Sequence, residues 1–232
     1  MTTNDNNAAR SAILGKIRRS ISGGASDADR STERKAVEAR LAEKAIGLIP
    51  ARAQIDREEQ IKMFLAFSQA VSSSTDRLAS YDDVPSAICA YLRQHNLPQQ
   101  VRSGSDPRLA AINWAAEPQL ERLIGPSDGK DAVGVSHALG GVAETGTALL
   151  VSGPDNPTTL NFLPETHIIV VNADDITGDY ETLQARLYGE DGEAVMPRVV
   201  NRITGPSRSG DIEQVIMLGA HGPRDVHVIV VG

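Results

Sequence analysis

The 232-residue sequence contains one cysteine, Cys89. A single thiol excludes an internal disulfide, a CxxC redox pair and the set of thiolates that an iron–sulfur cluster needs. Aromatic residues are only 3% of the chain, so the core must be built from Val, Ile, Leu and Ala. Such a core suits helices packed on a largely buried sheet. No window approaches the roughly 20 apolar residues of a membrane-spanning helix, and the N-terminal segment lacks the apolar stretch of an export signal. The chain reads as cytoplasmic. A dense Lys/Arg stripe is also missing, and the net charge is −7, which argues against nucleic acid as a partner. Neither a GxGxxG after the first strand nor a GxxxxGK[ST] loop is present, so dinucleotide and P-loop sites have no support. No HxxxH, HExxH or close His/Asp pair supplies metal-ligand spacing.

The charge that is present is uneven. Residues 1–50 carry nine Lys/Arg against six Asp/Glu, and the remainder carries 14 against 24. This sets off a helical N-terminal extension, 1–50, from an α/β domain, 51–232. Helical periodicity covers 8–22, with Ile13, Leu14, Ile17 and Ile21 on one face, then 31–46, and then 56–71, with Met63, Phe64, Phe67 and Val71 close to one face. Beyond it, short apolar runs alternate with helices. Strands are expected at 77–81, 99–102, 132–136, 147–152, 167–172, 198–204 and 225–231. Helices are expected at 84–95, 106–114, 179–188 and 209–218. This alternation points to a mainly parallel sheet covered on both faces.

Three glycine-bearing segments place polar groups beside strands. In 140–147, GGVAETGT, the glycines permit a tight turn and close backbone approach. Glu144 is its one carboxylate, able to act as base, nucleophile or ligand anchor, or simply to accept backbone hydrogen bonds. In 204–213, TGPSRSGDIE, a strand is expected to give way, through a Gly-Pro turn, to a helix start. Free N–H groups there, with Ser207, Arg208 and Ser209, would bind an anion, while Asp211 and Glu213 complement the helix dipole. In 219–224, GAHGPR, His221 can be aimed at a ligand, histidine being a residue type able to handle protons, and Arg224 can clamp a carboxylate or pair with a nearby Asp. His137 ranks as a fourth member. His95 reads as a solvated cap, His167 as structural, His227 as facing a helix, and Cys89 as a buried apolar group.

The strings AETGT at 143–147, SGP at 152–154, LPETHIIVV at 163–171, ITGPSRSGDIE at 203–213 and GAHGPRDVHVIV at 219–230 stand in the order of the LUD-domain family, which this chain resembles from about residue 132 to the end. The sequence departs from that pattern at Ser209-Gly210, where Thr-Ala is common, and at Asn161-Phe162, where Ser-Leu is common. The resemblance implies a three-layer α/β/α fold, with a mainly parallel sheet, similar to the sugar-phosphate isomerase and CoA-transferase superfamily. It also implies a role in oxidising L-lactate to pyruvate beside two iron–sulfur partner proteins, the clusters sitting in those partners and no cofactor in this chain.

Three functions follow. As a subunit of a lactate-oxidising complex, the chain would use Arg208 or Arg224 to hold a small carboxylate and Glu144 or His221 to manage a proton. Thr145, Gly146, Thr147, Ser207 and Ser209 would line the site at the end of the sheet where loops after parallel strands gather. As an independent acyl- or CoA-transferase-like enzyme, it would use Glu144 as a carboxylate nucleophile. As a non-catalytic scaffold, it would dock partners, or a second copy of itself, through the N-terminal helices.

Overall fold

A computed structural model describes residues 3–21, 27–43, 47–187, 197–212 and 215–232. The chain divides into two compact units, Met1–Gly47 and Leu48–Gly232. The first unit contains α1 (Thr3–Ile21) and α2 (Asp27–Glu43). On α1 the apolar residues Ile13, Leu14, Ile17 and Ile21 are all exposed. An i,i+4 ion pair, Arg34 to Glu38 at 2.9 Å, supports α2. The expected helix ends at Ser22 and Ile46 lie outside the described residues.

In the second unit the elements run α3 (Arg57–Ala70), β1 (Ser74–Leu78), α4 (Val84–Gln94), β2 (Gln100–Ser103), α5 (Pro107–Ala110), β3 (Glu121–Ile124), β4 (Val133–His137), β5 (Gly140–Val142) and β6 (Thr147–Val151). They continue with β7 (Thr166–Asn172), β8 (Ile176–Thr177), α6 (Tyr180–Ala185), β9 (Val200–Ile203), β10 (Arg208–Ile212), β11 (Val215–Leu218) and β12 (Asp225–Val231). Asp56 caps α3 by accepting the Glu59 N–H at 3.1 Å, and Asp179 caps α6 by accepting the Thr182 N–H at 2.8 Å.

Six strands form one wholly parallel sheet in the order β1-β12-β7-β4-β2-β3. The central runs are apolar throughout because both faces are covered. Alternate residues confirm it. Ile168, Val170, Ile229 and Val231 pack on one face with Val84, Ile88 and Leu92 of α4. Ile169, Val171, Val228 and Val230 pack on the other with Ile61 and Phe64 of α3 and with Ala148 and Leu150 of β6. The third layer thus combines α3 with a small mixed sheet in the order β8-β5-β6-β9. This is the three-layer α/β fold that the family resemblance implies, with the covered parallel sheet that the patterning implies.

Several local expectations are corrected. Residues 209–218 are not a helix: β10 and β11 form an antiparallel hairpin, with Arg208 opposite Leu218 and Ser209 opposite Met217. The β-branched Ile212, Val215 and Ile216 favour extended backbone and outweigh the cap-like Ser209-Gly210-Asp211. The buried face of α3 is Ile61, Phe64 and Ser68, whereas Phe67 is exposed. The strand expected at 77–81 begins three residues earlier, and Tyr81 opens a short 3-10 turn beyond it. The strands at 147–152 and 198–204 belong to the mixed sheet rather than the parallel one. The glycine run 140–147 is partly β5. Tyr188, the expected end of the helix begun at 179, lies outside the described residues.

Candidate functional site

The turn between β5 and β6 is closed by the Gly146 N–H donating to the Val142 carbonyl at 2.9 Å. Gly146 has φ +65°, and a Cβ there would stand 2.4 Å from the backbone nitrogen of Ser68. Only glycine fits this close approach to α3. The turn sends its side chains two ways. The Glu144 carboxylate is buried and accepts from Arg52 Nε at 3.2 Å. Thr145 and Thr147 instead enter a hydroxyl cluster. Thr147 Oγ1 lies 2.8 Å from Thr145 Oγ1, 2.7 Å from the Tyr180 hydroxyl and 2.7 Å from Thr204 Oγ1.

Thr204 connects this cluster to a chamber of about 270 Å³, whose polar lining includes Arg202, Thr204, Ser207, Arg208 and His221. Ser207 ties the chamber together. Its N–H donates to the Pro223 carbonyl at 2.9 Å, and its Oγ accepts the His221 N–H at 3.3 Å. Arg208 donates to the Val71 carbonyl at 2.8 Å and to Ser72 Oγ. An outer cleft of about 520 Å³ shares Phe162, His221 and Gly222 with the chamber and adds Leu163, Leu218, Glu165 and Arg224. The Arg224 N–H donates to the Glu165 carbonyl at 2.8 Å. Among the described residues, no hydrogen bond or ion pair engages the Arg224 guanidinium or the His221 ring.

Of the expected site residues, the structure therefore brings together Thr147, Ser207, Arg208 and His221, with Arg224 next door. Thr145 joins through Thr147, and Gly146 shapes the turn. Glu144 lines neither volume, and Ser209 stands opposite Met217 and lines neither either. The helix N-terminus meant to bind the anion does not exist, because Ser207 leads into a strand. Asp211 therefore has no helix dipole to complement, and Glu213 lies outside the described residues. Location differs as well. Glu165 directly precedes β7 and Arg224 directly precedes β12, so the cleft opens at the amino end of the parallel sheet.

The carboxyl end holds a second polar cluster that residue patterns alone did not group. His137, the last residue of β4, is fully buried. Its Nδ1 lies 2.8 Å from the Ala138 carbonyl, which can only accept, so Nδ1 carries the proton. Nε2 then accepts from the Tyr81 hydroxyl at 2.8 Å. Burial, helped by the nearby Arg108, lowers the His137 pKa from 6.5 to about 4, so the ring is neutral. Burial raises the pKa of Tyr81. Arg108 donates to the same Ala138 carbonyl at 3.0 Å and grips Asp106 through Nε at 3.0 Å and a terminal nitrogen at 2.7 Å. Burial pushes the Asp106 carboxyl up, but the Arg108 hydrogen bonds outweigh it and the pKa falls. His137 is thus placed apart from the amino-end residues. His95 caps α4 and stacks on Tyr91, and His227 also stacks on Tyr91 of α4. His167 bonds Ser136 at 3.0 Å. Cys89 is buried. No group of three His, Cys, Asp or Glu is placed to hold a metal ion among the described residues, and no described helix is long and apolar enough to cross a membrane.

The architecture is that of a three-layer α/β domain, and a solved structure shares it. The crystal structure of a DUF162 family protein from Deinococcus radiodurans superposes with a TM-score of 0.56 at 19% identity, covering 77% of this chain and 99% of that one. The LUD domain family profile matches residues 87–231, and the chain belongs to that family. It is similar to the lactate utilization protein C of Geobacillus thermodenitrificans, with 36% identity over 143 residues, 54% of this chain and 60% of that one. Similarity to the uncharacterized protein NMB1437 of Neisseria meningitidis is 34% over 99 residues, 42% of this chain and 41% of that one. The uncharacterized protein YkgG of Escherichia coli is 26% identical over 193 residues, 76% of this chain and 82% of that one. The match to the first two spans only about half of their length.

Proposed function

We propose that this chain serves lactate utilization in the cytoplasm as a subunit working beside iron–sulfur partner proteins, and that its amino-end cleft binds a small carboxylate or a partner's acidic group. The observation that carries the reading is the convergence of Ser207, Arg208 and His221 on one chamber, in a chain of the LUD family whose relatives include proteins named for lactate utilization. The chamber, at about 270 Å³, falls below the roughly 300 Å³ at which pockets for drug-sized ligands begin. Its cations and hydroxyls suit a small anion. The larger outer cleft has apolar walls from Phe162, Leu163 and Leu218 with Arg224 and His221 at its polar end. It suits a partner's side chains.

The single thiol is too few for an iron–sulfur cluster, which supports assigning the clusters to the partners. The exposed apolar stripe of α1 is the segment through which self-association would act. The transferase alternative draws less support: an attacking Glu144 would first have to leave Arg52 and its buried setting. A pull-down from native cytoplasm with the full chain as bait tests the reading. An iron-rich eluate that oxidises L-lactate is expected, and the Arg208→Ala and Arg224→Ala chains should recover less of that activity. An iron-free eluate holding this chain alone would sink the proposal.

A further inference from the structure

The parallel sheet contains a point at which its connections diverge. After β2 the chain turns onto the α4 face, where Leu109 of α5 joins the first core cluster. After the neighbouring β4 it turns onto the α3 face, where Ala138 and Ala143 join the second. Ligands of open α/β sheets lie in the crevice that such a divergence opens beyond the carboxyl ends of the strands. Here that place is occupied by Asp106 and Arg108 on the β2 side and by His137 on the β4 side, with Tyr81 bonded to His137. The loop after β6 forms a wall. Ser105 Oγ donates to Asp155 at 2.6 Å, and Asn156 Nδ2 donates to the His137 carbonyl at 3.4 Å. Gly104 permits the approach, since a Cβ there would stand 2.0 Å from the Asp155 carbonyl oxygen.

Hydrogen-bond direction in this cluster is fixed. His137 Nδ1 donates to Ala138, so Nε2 must accept, and Tyr81 spends its one proton on it. The Tyr81 oxygen, half-buried, therefore presents lone pairs and no proton. Arg108 spends three of its five N–H groups on Asp106 and Ala138, and its side chain is 39% exposed. Three carboxylates stand near Tyr81, and each has its own arginine: Asp106 with Arg108, Asp175 with Arg186 and Asp174 with Arg57. The crevice thus offers an acceptor beside donors, without a net charge of either sign from these pairs.

We infer that the carboxyl-end crevice is a second ligand site that takes a small 2-hydroxy acid, with the ligand's hydroxyl donating to the Tyr81 oxygen and its carboxylate accepting from the remaining N–H groups of Arg108. A 2-oxo acid has no proton to give and is discriminated against, because Tyr81 would face it acceptor to acceptor. The substrate class rests on the lactate reading above; the donor and acceptor pattern does not.

Calorimetric titration of the full chain with L-lactate and with pyruvate tests the inference. L-lactate should bind about tenfold tighter, the size of one hydrogen bond. Tyr81→Phe keeps a ring against His137 and should erase that ratio, while Lys62→Ala on the exposed face of α3 should leave it unchanged. On the unsubstituted chain, L-lactate should also shift the imidazole nitrogen resonances of His137. Equal affinities, no binding of either acid, a ratio that survives Tyr81→Phe, or an unshifted His137 would each overturn the site. Failure of the iron-rich pull-down would leave these binding results standing, so the two proposals fail separately.

Discussion

The two ends of the parallel sheet handle charge in opposite ways. At the amino end, the Arg224 guanidinium and the His221 ring face an open cleft without partners among the described residues. At the carboxyl end, Arg108, Asp106, His137 and Tyr81 are tied into one hydrogen-bonded chain around the Ala138 carbonyl. Exposed and unpaired cations add little to stability and are free to meet a ligand. Buried and satisfied groups hold the fold together, and leave one of their number unpartnered at a cost. Residue type alone would rank these ends alike. Partner geometry separates them.

The comparison can be broken in four ways. Acid gives the largest effect. His137, His167 and His227 have pKa values of about 4, 3 and 4 in the fold, chiefly through burial, against 6.5 otherwise. As pH falls below 6.5 the unfolded chain takes up these protons and the folded chain does not. Their contribution is complete above 6.5 and is lost between there and about 4 for His137 and His227, and about 3 for His167. At roughly 1.4 kcal/mol per unit for each group, several kcal/mol should vanish between pH 7 and pH 5, seen as a falling Tm by calorimetry. His137→Gln should flatten part of that slope, the part belonging to the carboxyl end.

Removing Asp106 should cost somewhat less. Asp106→Ala deletes the cap of α5 and leaves Arg108 uncompensated, an expected loss of about 3 kcal/mol moderated by the exposure of Arg108. Gly104→Ala drives a methyl into the Asp155 carbonyl and should cost about 1–3 kcal/mol in urea unfolding. Arg224→Ala should change stability by no more than about 0.5 kcal/mol while reducing recovery of lactate-oxidising activity. Should Arg224→Ala unfold the protein and Asp106→Ala not, the assignment of roles to the two ends is wrong.

Local patterns made the fold legible where one force dominated. The runs Ile168-Ile169-Val170-Val171 and Val228-Ile229-Val230-Val231 could only be buried strands, and Asp56 and Asp179 marked their helices by chemistry that acts within three residues. The segment 209–218 failed because Ser209-Gly210-Asp211 imitates a helix start, while the pairing that makes it a hairpin depends on Met217 and Leu218 across the turn. Half of the amino-end site was legible for a similar reason: Ser207, Arg208, His221 and Arg224 stand in glycine- and proline-rich loops. Glu144 was indistinguishable from them until Arg52, 92 positions away, was seen to occupy it. The Tyr81–His137 bond spans 56 positions and depends on the strand order. Nothing within either local segment announces it.

The placement of β12 carries a consequence for how the molecule comes to exist. Ser74, which opens β1, bonds His227 of β12 across 153 positions, and among the described residues β12 is the one strand that pairs with β1. On a ribosome, β1 would emerge long before β12, the strand it pairs with, and β7 would wait with one side bare. Contacts so distant along the chain make for slow, late cooperative assembly, and a nascent chain with unpaired strand edges is open to wrong partners. Productive synthesis of this protein should therefore depend on chaperone supply more steeply than that of a domain whose neighbouring strands follow one another in order.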